Sequence, residues 1–235
     1  MLQMREIRKL SEQGCTQPFL CLDENGVSYW CKGCFAGLNS LRNEWICGNL
    51  AKKMGLPVPE FAIAEVRFDL FDVWRSFLPN SVPMLVTRTN PYVFASKNVA
   101  HVKDVQFASE LKDVDEKLQA QILLFDQFVR NMDRNDRNSN LLVTLGIQRC
   151  LYVIDHNLAF DNEFDRTVFL REHVLRNAIV DCPQDIKDEF QSQLRGVFTL
   201  DYLQSLWSEM PTQWTDDDGA ESHLQVLETL AGGVA

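Results

Sequence analysis

Three polar residues in the middle of the chain have the types and the spacing that could hold a hard metal ion beside an attacking hydroxyl. Asp133 is followed five residues later by Asn138, and Asp155 ends an apolar segment further along. A carboxylate such as Asp133 can accept or orient a hydroxyl proton, and oxygens from Asn138 and Asp155 can hold Mg²⁺ on the phosphates of a nucleotide. The spacing therefore predicts phosphoryl transfer.

The same residues also have a simpler interpretation, as turn formers. Asp, Asn and Arg are common in turns because their polar side chains bond the nearby backbone, and an Asp–Asn pair at this spacing often occurs by chance. Two apolar segments, roughly Leu141–Thr144 and Cys150–Ile154, favour the catalytic interpretation. We expect them to form a hairpin through Leu145 and Gly146 that brings Asp155 beside the polar loop.

The elements that must position these residues are β-rich in the first third of the chain and helical in the second half. Phe19–Asp23 and Val27–Gly33 predict a hairpin that turns at Asn25-Gly26. Apolar residues at helical spacing predict a helix over Asn39–Met54. Further predicted elements are strands over Phe61–Phe68, Met84–Thr87 and Tyr92–Ala95, a short helix around Phe71–Phe77, and helices over Asp115–Arg130, Asp165–Ile179, Pro183–Val197 and Leu200–Met210.

This order of elements is typical of an α+β, two-lobed fold like that of the protein kinases. A β-rich N-terminal lobe with one helix would occupy residues 1–98. A mainly helical C-terminal lobe with the polar loop and its hairpin would occupy residues 99–235. We place the connection between the lobes somewhere in Met84–Ala100.

Two charged residues of the N-terminal lobe fit this plan. Lys32 ends the second predicted strand, where a kinase presents the lysine that contacts the nucleotide phosphates, and Glu44 in the following helix would pair with it. Alone, Lys32 could be a solubilising residue of an edge strand, and Glu44 a solvated helix residue. The loop expected to cover the phosphates consists of Gly14, Cys15, Thr16 and Gln17, with the glycine allowing close backbone approach.

Length and composition restrict the class of protein. A chain of 235 residues can bury the core of one large domain or of two lobes, and 46% hydrophobic with 24% charged residues is ordinary for a globular protein. A formal net charge of −10 argues against a general nucleic-acid binder, because phosphate backbones recruit Lys and Arg. No N-terminal segment resembles a signal peptide and no apolar run reaches membrane-spanning length, so we expect a cytoplasmic protein without membrane contact.

Other motifs have less specific interpretations. The seven scattered cysteines are typical of buried thiols rather than disulfides, and Cys31 and Cys34, although spaced as in zinc or redox motifs, have no second pair at ribbon spacing. The acidic run Asp216–Asp218 predicts a solvated turn. Arg134 could steady a phosphate or an acidic neighbour, and Asp136 is a rival carboxylate that fits the spacing to Asn138 less well.

The chain resembles the HipA-like kinases, in particular their short single-domain members. The matching segments, between roughly residues 12 and 160, are Gly14–Phe19, Tyr29–Lys32, Asn43–Trp45, Gly55–Pro59, Asn131–Leu142 and Ile154–His156. The resemblance implies an ATP- and Mg²⁺-dependent kinase with Asp133 as base, Asn138 and Asp155 as metal ligands and Lys32 on the phosphates. HipA-type toxins phosphorylate serine on protein targets, aminoacyl-tRNA synthetases among them, and are often inhibited by an antitoxin, so a protein substrate and an antitoxin are the partners implied.

Some features depart from the kinase pattern and leave other functions open. The chain has no G-x-G-x-x-G loop, and Asp155 is followed by His156 and Asn157 instead of Phe and Gly. His156 could hydrogen-bond a phosphate or be a packed structural residue. A Ser/Thr protein kinase is the leading hypothesis. The alternatives are a kinase acting on a lipid, sugar or RNA hydroxyl, and a pseudokinase that binds nucleotide or a partner without turnover.

Overall fold

The N-terminal part of the molecule is a small closed β-barrel. The structure is a computed structural model that describes residues 1–12, 14–79, 83–106, 108–145, 149–179 and 182–234. The barrel strands are β1 (Leu2–Leu10), β2 (Phe19–Asp23), β3 (Ser28–Lys32), β4 (Phe61–Val66) and β5 (Tyr92–Lys97). They follow one another in the order β1-β2-β3-β5-β4, and β4 closes the barrel by pairing in parallel with β1. All other pairs are antiparallel.

The hairpin of β2 and β3 forms for the reason that the sequence indicates. Asp23 accepts backbone hydrogen bonds from Asn25 (2.9 Å) and Val27 (2.7 Å) through its side chain, and Gly26 has a φ of 80°, which favours glycine. The turn sets the register of β3 so that Lys32 ends the strand opposite Phe94 of β5. The hairpin is confirmed, and it fixes the position of Lys32.

Two helices belong to this part of the chain. Helix α1 (Leu38–Lys53) confirms the helix predicted over Asn39–Met54, and α2 (Phe68–Arg75) confirms the short helix predicted around Phe71. The strand expected over Phe61–Phe68 is shorter than predicted because Phe68 already begins α2.

The C-terminal part combines a small sheet with helices. Its strands are β6 (Val102–Asp104), β7 (Leu141–Thr144) and β8 (Leu151–Val153), in the order β6-β7-β8. Helices of the described residues are α3 (Glu116–Phe128), α4 (Arg166–Glu172), α5 (Gln184–Val197), α6 (Leu200–Ser208), α7 (Thr212–Thr215) and α8 (Ala220–Val234). The predicted β7–β8 hairpin is confirmed, while Gly146 of its expected turn lies outside the described residues. None of the helices in the described ranges is long and apolar enough to cross a membrane.

Two of the predicted elements are wrong. Met84–Thr87 is not a strand, because Leu85 instead accepts the backbone N–H of Cys34 (3.0 Å) in the turn after β3. Asp165–Ile179 is not one helix, because α4 ends at Glu172 and the chain then turns to pair with the polar loop. There Val174 donates its backbone N–H to the carbonyl of Arg134 (3.1 Å).

Strands β1 and β6 and helices α7 and α8 were not predicted from the sequence. The chain passes from the barrel to the second sheet between Lys97 and Val102. The expected lobe boundary at residues 98–99 falls in this connection and stays a prediction.

The buried apolar residues form two clusters. One fills the barrel and the underside of α2, and includes Phe19, Phe71 and Val93. The other is larger and contains the inner residues of α3, α5, α6 and α8 together with Leu41 and Leu50 of α1. Helix α1 contributes to this larger cluster, which also contains Ile63 and Phe94 of the barrel strands, so α1 packs between the barrel and the helical part.

Candidate active site

The end of β3, helix α1 and the residue after β8 meet at a buried lysine. Lys32 Nζ lies 2.6 Å from Glu44 Oε1 and 2.6 Å from Asp155 Oδ1. Burial by itself would lower the pKa of Lys32, but the two carboxylates outweigh it and raise the pKa. Lys32 is therefore a fixed positive charge, and the structure brings together the three residues that the sequence placed near the nucleotide phosphates.

Glu44 connects this lysine to the segment after β8. Its second oxygen, Oε2, accepts the backbone N–H of His156 at 3.1 Å. Burial raises the pKa of Glu44, and the contact with Lys32 opposes that shift. Asp155 has a φ of 59°, an uncommon conformation for a residue other than glycine that is often found at functional sites. Glu44 thus fixes the backbone beside Asp155, and the Asp155 side chain is paired with Lys32.

The polar loop holds Asp133 by two side-chain amides. Asp133 Oδ2 accepts hydrogen bonds from Asn138 Nδ2 (2.7 Å) and Asn140 Nδ2 (3.1 Å). Burial raises the pKa of Asp133 above its ordinary value, although the two amides oppose the shift. Asn138 therefore lies beside Asp133 as the spacing predicts. Asn140 was not among the predicted site residues, although its position two residues beyond Asn138 was a usable signal.

Arg134 supports the loop from behind. It is fully buried, and its Nε lies 2.6 Å from Asp126 Oδ2 on α3. Its Nη1 donates to the carbonyls of Asn140 (2.5 Å) and Ile154 (3.1 Å). Arg134 thereby joins the loop to the residue preceding Asp155, so the structure supports an acidic neighbour for this arginine and not a phosphate.

Asp126 is the residue of this network that sequence reasoning missed. It also bonds His173 Nε2 (3.2 Å) and accepts from Asn131 Nδ2 (3.0 Å). Burial would raise the pKa of Asp126, but Arg134 and His173 outweigh it and hold the pKa well below its usual range. A single carboxylate within an otherwise apolar helical segment is the sequence signal that could have identified it, because unpaired acids are rarely fully buried.

His156 is packed between the two networks. Only 2% of its surface is exposed, and its ring meets the Phe125 ring edge-on at 5.8 Å. Burial, together with the nearby charge of Arg134, lowers the pKa of His156 to about 4. The ring is therefore neutral at physiological pH, which supports the structural interpretation and not phosphate binding.

A cavity of about 360 Å³ separates the barrel from the second sheet. Its inner end holds Lys32, Glu44 and Asp155, and the connection around Lys97–Val99 lines its outer side. Apolar lining residues include Trp30, Val58, Phe61, Phe94, Val102, Leu142 and Val153. Pockets of this size, with apolar walls and a few converging polar groups, are typical of small-molecule sites. The lining suits a ligand with an apolar part and an anionic end.

The loop expected to cover the phosphates reaches this cavity only at its base. Gly14 has a φ of 88° and Gln17 a φ of 52°, which makes a tight turn. The loop is closed by the bond from the N–H of Ser11 to the carbonyl of Pro18 (2.7 Å). Ser11 and Pro18 line the cavity, whereas Gly14, Cys15, Thr16 and Gln17 are not among the described lining residues. Contact of these four residues with a nucleotide stays a prediction.

The donor types of Asn138 and Asp155 fit a hard divalent cation, and of the two only Asp155 is among the described residues that line the cavity. Asn138 and Asp155 offer amide and carboxylate oxygens, the ligands that Mg²⁺ prefers. Within the described ranges no group of three His, Cys, Asp or Glu side chains is placed to hold a metal ion. Cys31 is buried in the barrel with a pKa raised by burial, and Cys34 Sγ points to the carbonyl of Leu85 (3.4 Å). The two thiols therefore have different surroundings, one inside the barrel and one at the turn after β3.

Two predicted solvated acids have ionic partners. Asp136 pairs with Arg176 at 2.9 Å on the surface, away from the amides that hold Asp133. Asp217, from the acidic run expected to form a solvated turn, pairs with the buried guanidinium of Arg42 on α1. The acidic run is exposed in a turn, as predicted, and Asp217 in addition supplies the counter-charge that a buried arginine 175 positions away requires.

Comparison with known proteins identifies a family and a fold. A family model described as HipA-like kinase matches residues 4–230. The fold is similar to the crystal structure of the Helicobacter pylori proinflammatory kinase CtkA, with a TM-score of 0.61 and 13% identity over 99% of this chain and 93% of that chain. The golgi casein kinase structure gives a TM-score of 0.46 and 9% identity over 100% of this chain and 73% of that chain. No curated protein sequence matches significantly. The two-lobed, kinase-like α+β fold predicted from the sequence is confirmed.

Proposed function

The chain belongs to the HipA-like kinase family, and we propose that it transfers the γ-phosphoryl group of ATP, with Mg²⁺, to a serine or threonine hydroxyl on a protein. The observation that carries this proposal is the placement of Lys32, Glu44 and Asp155 at the inner end of one cavity. A lysine–glutamate pair beside a metal-binding aspartate is the arrangement that kinases require for phosphoryl transfer.

ATP fits the division of the cavity into an apolar and a charged part. The adenine would lie among the apolar residues near Trp30 and Leu142, and the phosphates would lie towards Lys32. Because the pKa of Lys32 is raised by its two carboxylates, the ammonium stays charged through the physiological range and can bind phosphate oxygens. Glu44 keeps that ammonium in place.

Asn138 and Asp155 would hold Mg²⁺. The ion would neutralise charge on the phosphates when bound. Burial would raise the pKa of Asp155, but Lys32 outweighs it and the pKa lies below its usual value, so the carboxylate is ionised and ready to act as a ligand. Asn138 Nδ2 is used by Asp133, which leaves the amide oxygen of Asn138 available for the cation.

Asp133 would act as the catalytic base. Its Oδ2 is held by Asn138 and Asn140, so Oδ1 is the oxygen that can accept the proton of an incoming hydroxyl. As that proton moves to Asp133, the hydroxyl oxygen forms a bond to the γ-phosphorus and the bond from phosphorus to the bridging oxygen of ADP breaks. A raised pKa suits this role, because a base is most effective when its pKa lies closer to the working pH.

The nature of the acceptor rests on family membership. The resemblance to HipA-type toxins supports a Ser/Thr hydroxyl on a protein and an antitoxin that controls the activity. Incubation with ATP, Mg²⁺ and a peptide library containing Ser, Thr and Tyr acceptors would identify the acceptor type by mass spectrometry. Transfer to lipid, sugar or RNA hydroxyls in place of the peptides would overturn the protein-kinase part of the proposal.

Thermal unfolding with ATP, with and without Mg²⁺, tests the nucleotide site directly. A ligand at about a hundred times its dissociation constant stabilises the native state by about 2.7 kcal/mol, so we expect a Mg²⁺-dependent rise in melting temperature. No rise at millimolar ATP would contradict ATP binding and favour a partner-binding module.

A pair of substitutions in the polar loop tests the catalytic step. Asp133→Asn should abolish phosphate transfer while the ATP-induced rise in melting temperature remains. Asp136→Asn is the matched control, because this carboxylate lies in the same loop and pairs only with surface Arg176 among the contacts described. Full activity of Asp133→Asn would show that Asp133 is not the base.

A further inference from the structure

Four consecutive residues of α1 bond directly to the C-terminal part of the molecule. Arg42 Nε donates to the carbonyl of Trp214 (2.6 Å), and Trp45 Nε1 donates to the carbonyl of Leu206 (3.1 Å). Asn43 Nδ2 donates to the carbonyls of Asn157 (2.9 Å) and Ala159 (2.8 Å). Glu44 Oε2 accepts the backbone N–H of His156 (3.1 Å). Most of these partners are backbone groups, whose positions are set by the surrounding fold. The middle of α1 is therefore fastened to the helical part on several sides.

The contacts of Arg42 compensate for a fully buried positive charge. Its side chain is fully buried, and it bonds Asn39 Oδ1 (2.5 Å) and forms an ion pair with Asp217 in the turn before α8. The guanidinium also lies 5.8 Å from the centre of the Trp207 ring. A buried charge is tolerated only where counter-charge and hydrogen bonds compensate for lost hydration. The position of Arg42, two residues before Glu44, is thus tied to Asp217.

The apolar packing of α1 includes the C-terminal part as well as the barrel. Leu41, Ile46 and Leu50 belong to the large core cluster, which contains inner residues of the C-terminal helices and also Ile63 and Phe94 of the barrel strands. A movement of α1 relative to the C-terminal part would break the polar contacts and expose part of these side chains. Helix α1 therefore packs on both parts of the molecule, while the hydrogen bonds of Asn43 and Trp45 reach the C-terminal part.

We infer that Arg42 and Asp217 are positioning residues, through which the segment between α6 and α8 holds α1 so that Glu44 stays paired with Lys32. The inference rests on the proposed function, because it assigns a purpose to the Lys32–Glu44 pair. Kinases need this pair in place, and many control activity by moving the helix that carries the glutamate. In this chain the C-terminal segment supplies that position through contacts within the same fold.

Hydrogen exchange of the full-length Asp217→Ala protein tests the inference without any need for turnover. We expect peptides from α1 to exchange about ten- to a hundredfold faster than in the unmodified protein, since hydrogen bonds to charged groups contribute about that factor to a local opening equilibrium. Peptides from barrel strands β1 and β2 should be unchanged. Asp218→Ala, the adjacent exposed carboxylate of the same run, is the matched control and should behave like the unmodified protein.

A generally destabilised variant separates positioning from loss of stability. Leu194→Ala on α5 removes buried volume and no bond to α1 among the described contacts. Under conditions where it stays folded, it should not accelerate exchange of α1 over exchange of strands β1 and β2.

Three results would overturn the inference. They are unchanged exchange of α1 in folded Asp217→Ala, equal acceleration in Asp218→Ala, and uniform acceleration across α1 and the barrel. If Asp217→Ala does not fold, Asp217→Asn removes the charge while retaining an acceptor, and the same comparison applies. Where the protein is active, kcat should fall together with the faster exchange of α1. An inactive unmodified protein would overturn the proposed function, while the exchange results would still decide on the position of α1.

Discussion

Two buried ionic networks meet at consecutive residues of the chain, and they differ in what surrounds them. Lys32 pairs with Glu44 and Asp155 at the inner end of the cavity. Arg134 pairs with Asp126 and donates to the carbonyl of Ile154, and both side chains of this second pair are fully enclosed by protein. The first network faces a space where a ligand can enter, and the second faces only other protein groups.

Because of this difference, we expect the ion pairs of the first network to act in catalysis and those of the second to stabilise the fold. In the cavity, water or a ligand can compensate for a missing partner, so the first network can exchange contacts during a reaction. In the enclosed network, a missing partner leaves an uncompensated buried charge, which is strongly destabilising. The first network should therefore control rate and the second should control stability.

Lys32→Met should produce the largest loss of activity. Removal of a preorganised charge from a transition state typically costs about 10²–10³ in kcat, and we expect at least that loss here. The free energy of unfolding should change less than in an Arg134 variant, because Glu44 and Asp155 lie beside the open cavity. Steady-state rates and urea unfolding measure both quantities, and a Lys32→Met protein with near-normal kcat would contradict the assignment.

Arg134→Met should produce the largest loss of stability. Breaking a fully buried ion pair costs about 3–5 kcal/mol, because Asp126 would remain charged without its main partner. Urea unfolding would show the loss, and the exposed Arg137→Met in the same loop is the control, with an expected change within about 0.5 kcal/mol. If both variants unfolded at the same urea concentration, the enclosed network would not be the stabilising one.

Lower pH should reduce the free energy of unfolding, because two buried histidines are neutral in the folded protein. Burial lowers the pKa of His156 and of His223 to about 4, whereas the unfolded value is 6.5. A folded pKa below the unfolded one means that the unfolded state takes up protons first, so stability is full above pH 6.5 and falls as the pH drops towards 4. At pH 5 we expect a loss of about 2 kcal/mol per histidine.

Urea unfolding at pH 7 and pH 5 measures this loss. A variant with His156→Gln should lose less stability between the two pH values than the unmodified protein. Equal losses in the two proteins would show that His156 does not titrate as its burial between the networks requires.

The smallest effect should appear in the pH dependence of the rate. Asn140 donates to Asp133 and thereby lowers the pKa of the carboxylate, against the raising effect of burial. Asn140→Ala should therefore move the acid limb of the pH–rate profile to higher pH. A profile of kcat against pH for the two proteins would show the shift, and an unmoved acid limb would mean that another group controls it.

Local features of the chain were predictable because neighbouring residues determine them. The Asn25-Gly26 turn, the strand over Leu141–Thr144 and the helix that leads to Asp133 all follow from short-range patterns. The grouping of Lys32, Glu44 and Asp155 was also predictable from their order along the chain and the kinase plan.

The failed predictions are those where distant partners override local pattern. The pattern of Asp165–Ile179 predicts one helix. Helix α4 instead ends at Glu172, and Val174 donates its backbone N–H to the carbonyl of Arg134. Strand β1 was missed because its alternation is mixed, and its place is defined by pairing with β2 on one side and β4 on the other. Secondary structure at such positions depends on contacts that a window of neighbouring residues does not contain.

The sequence by itself determined which chemical groups are present at kinase spacing and which local elements carry them. Only the tertiary structure decided that Arg134 belongs to Asp126 and that Arg42 belongs to Asp217. The physical reason is that burial of a charge creates a strict requirement for a partner, while the identity of that partner depends on which distant surfaces come together on folding.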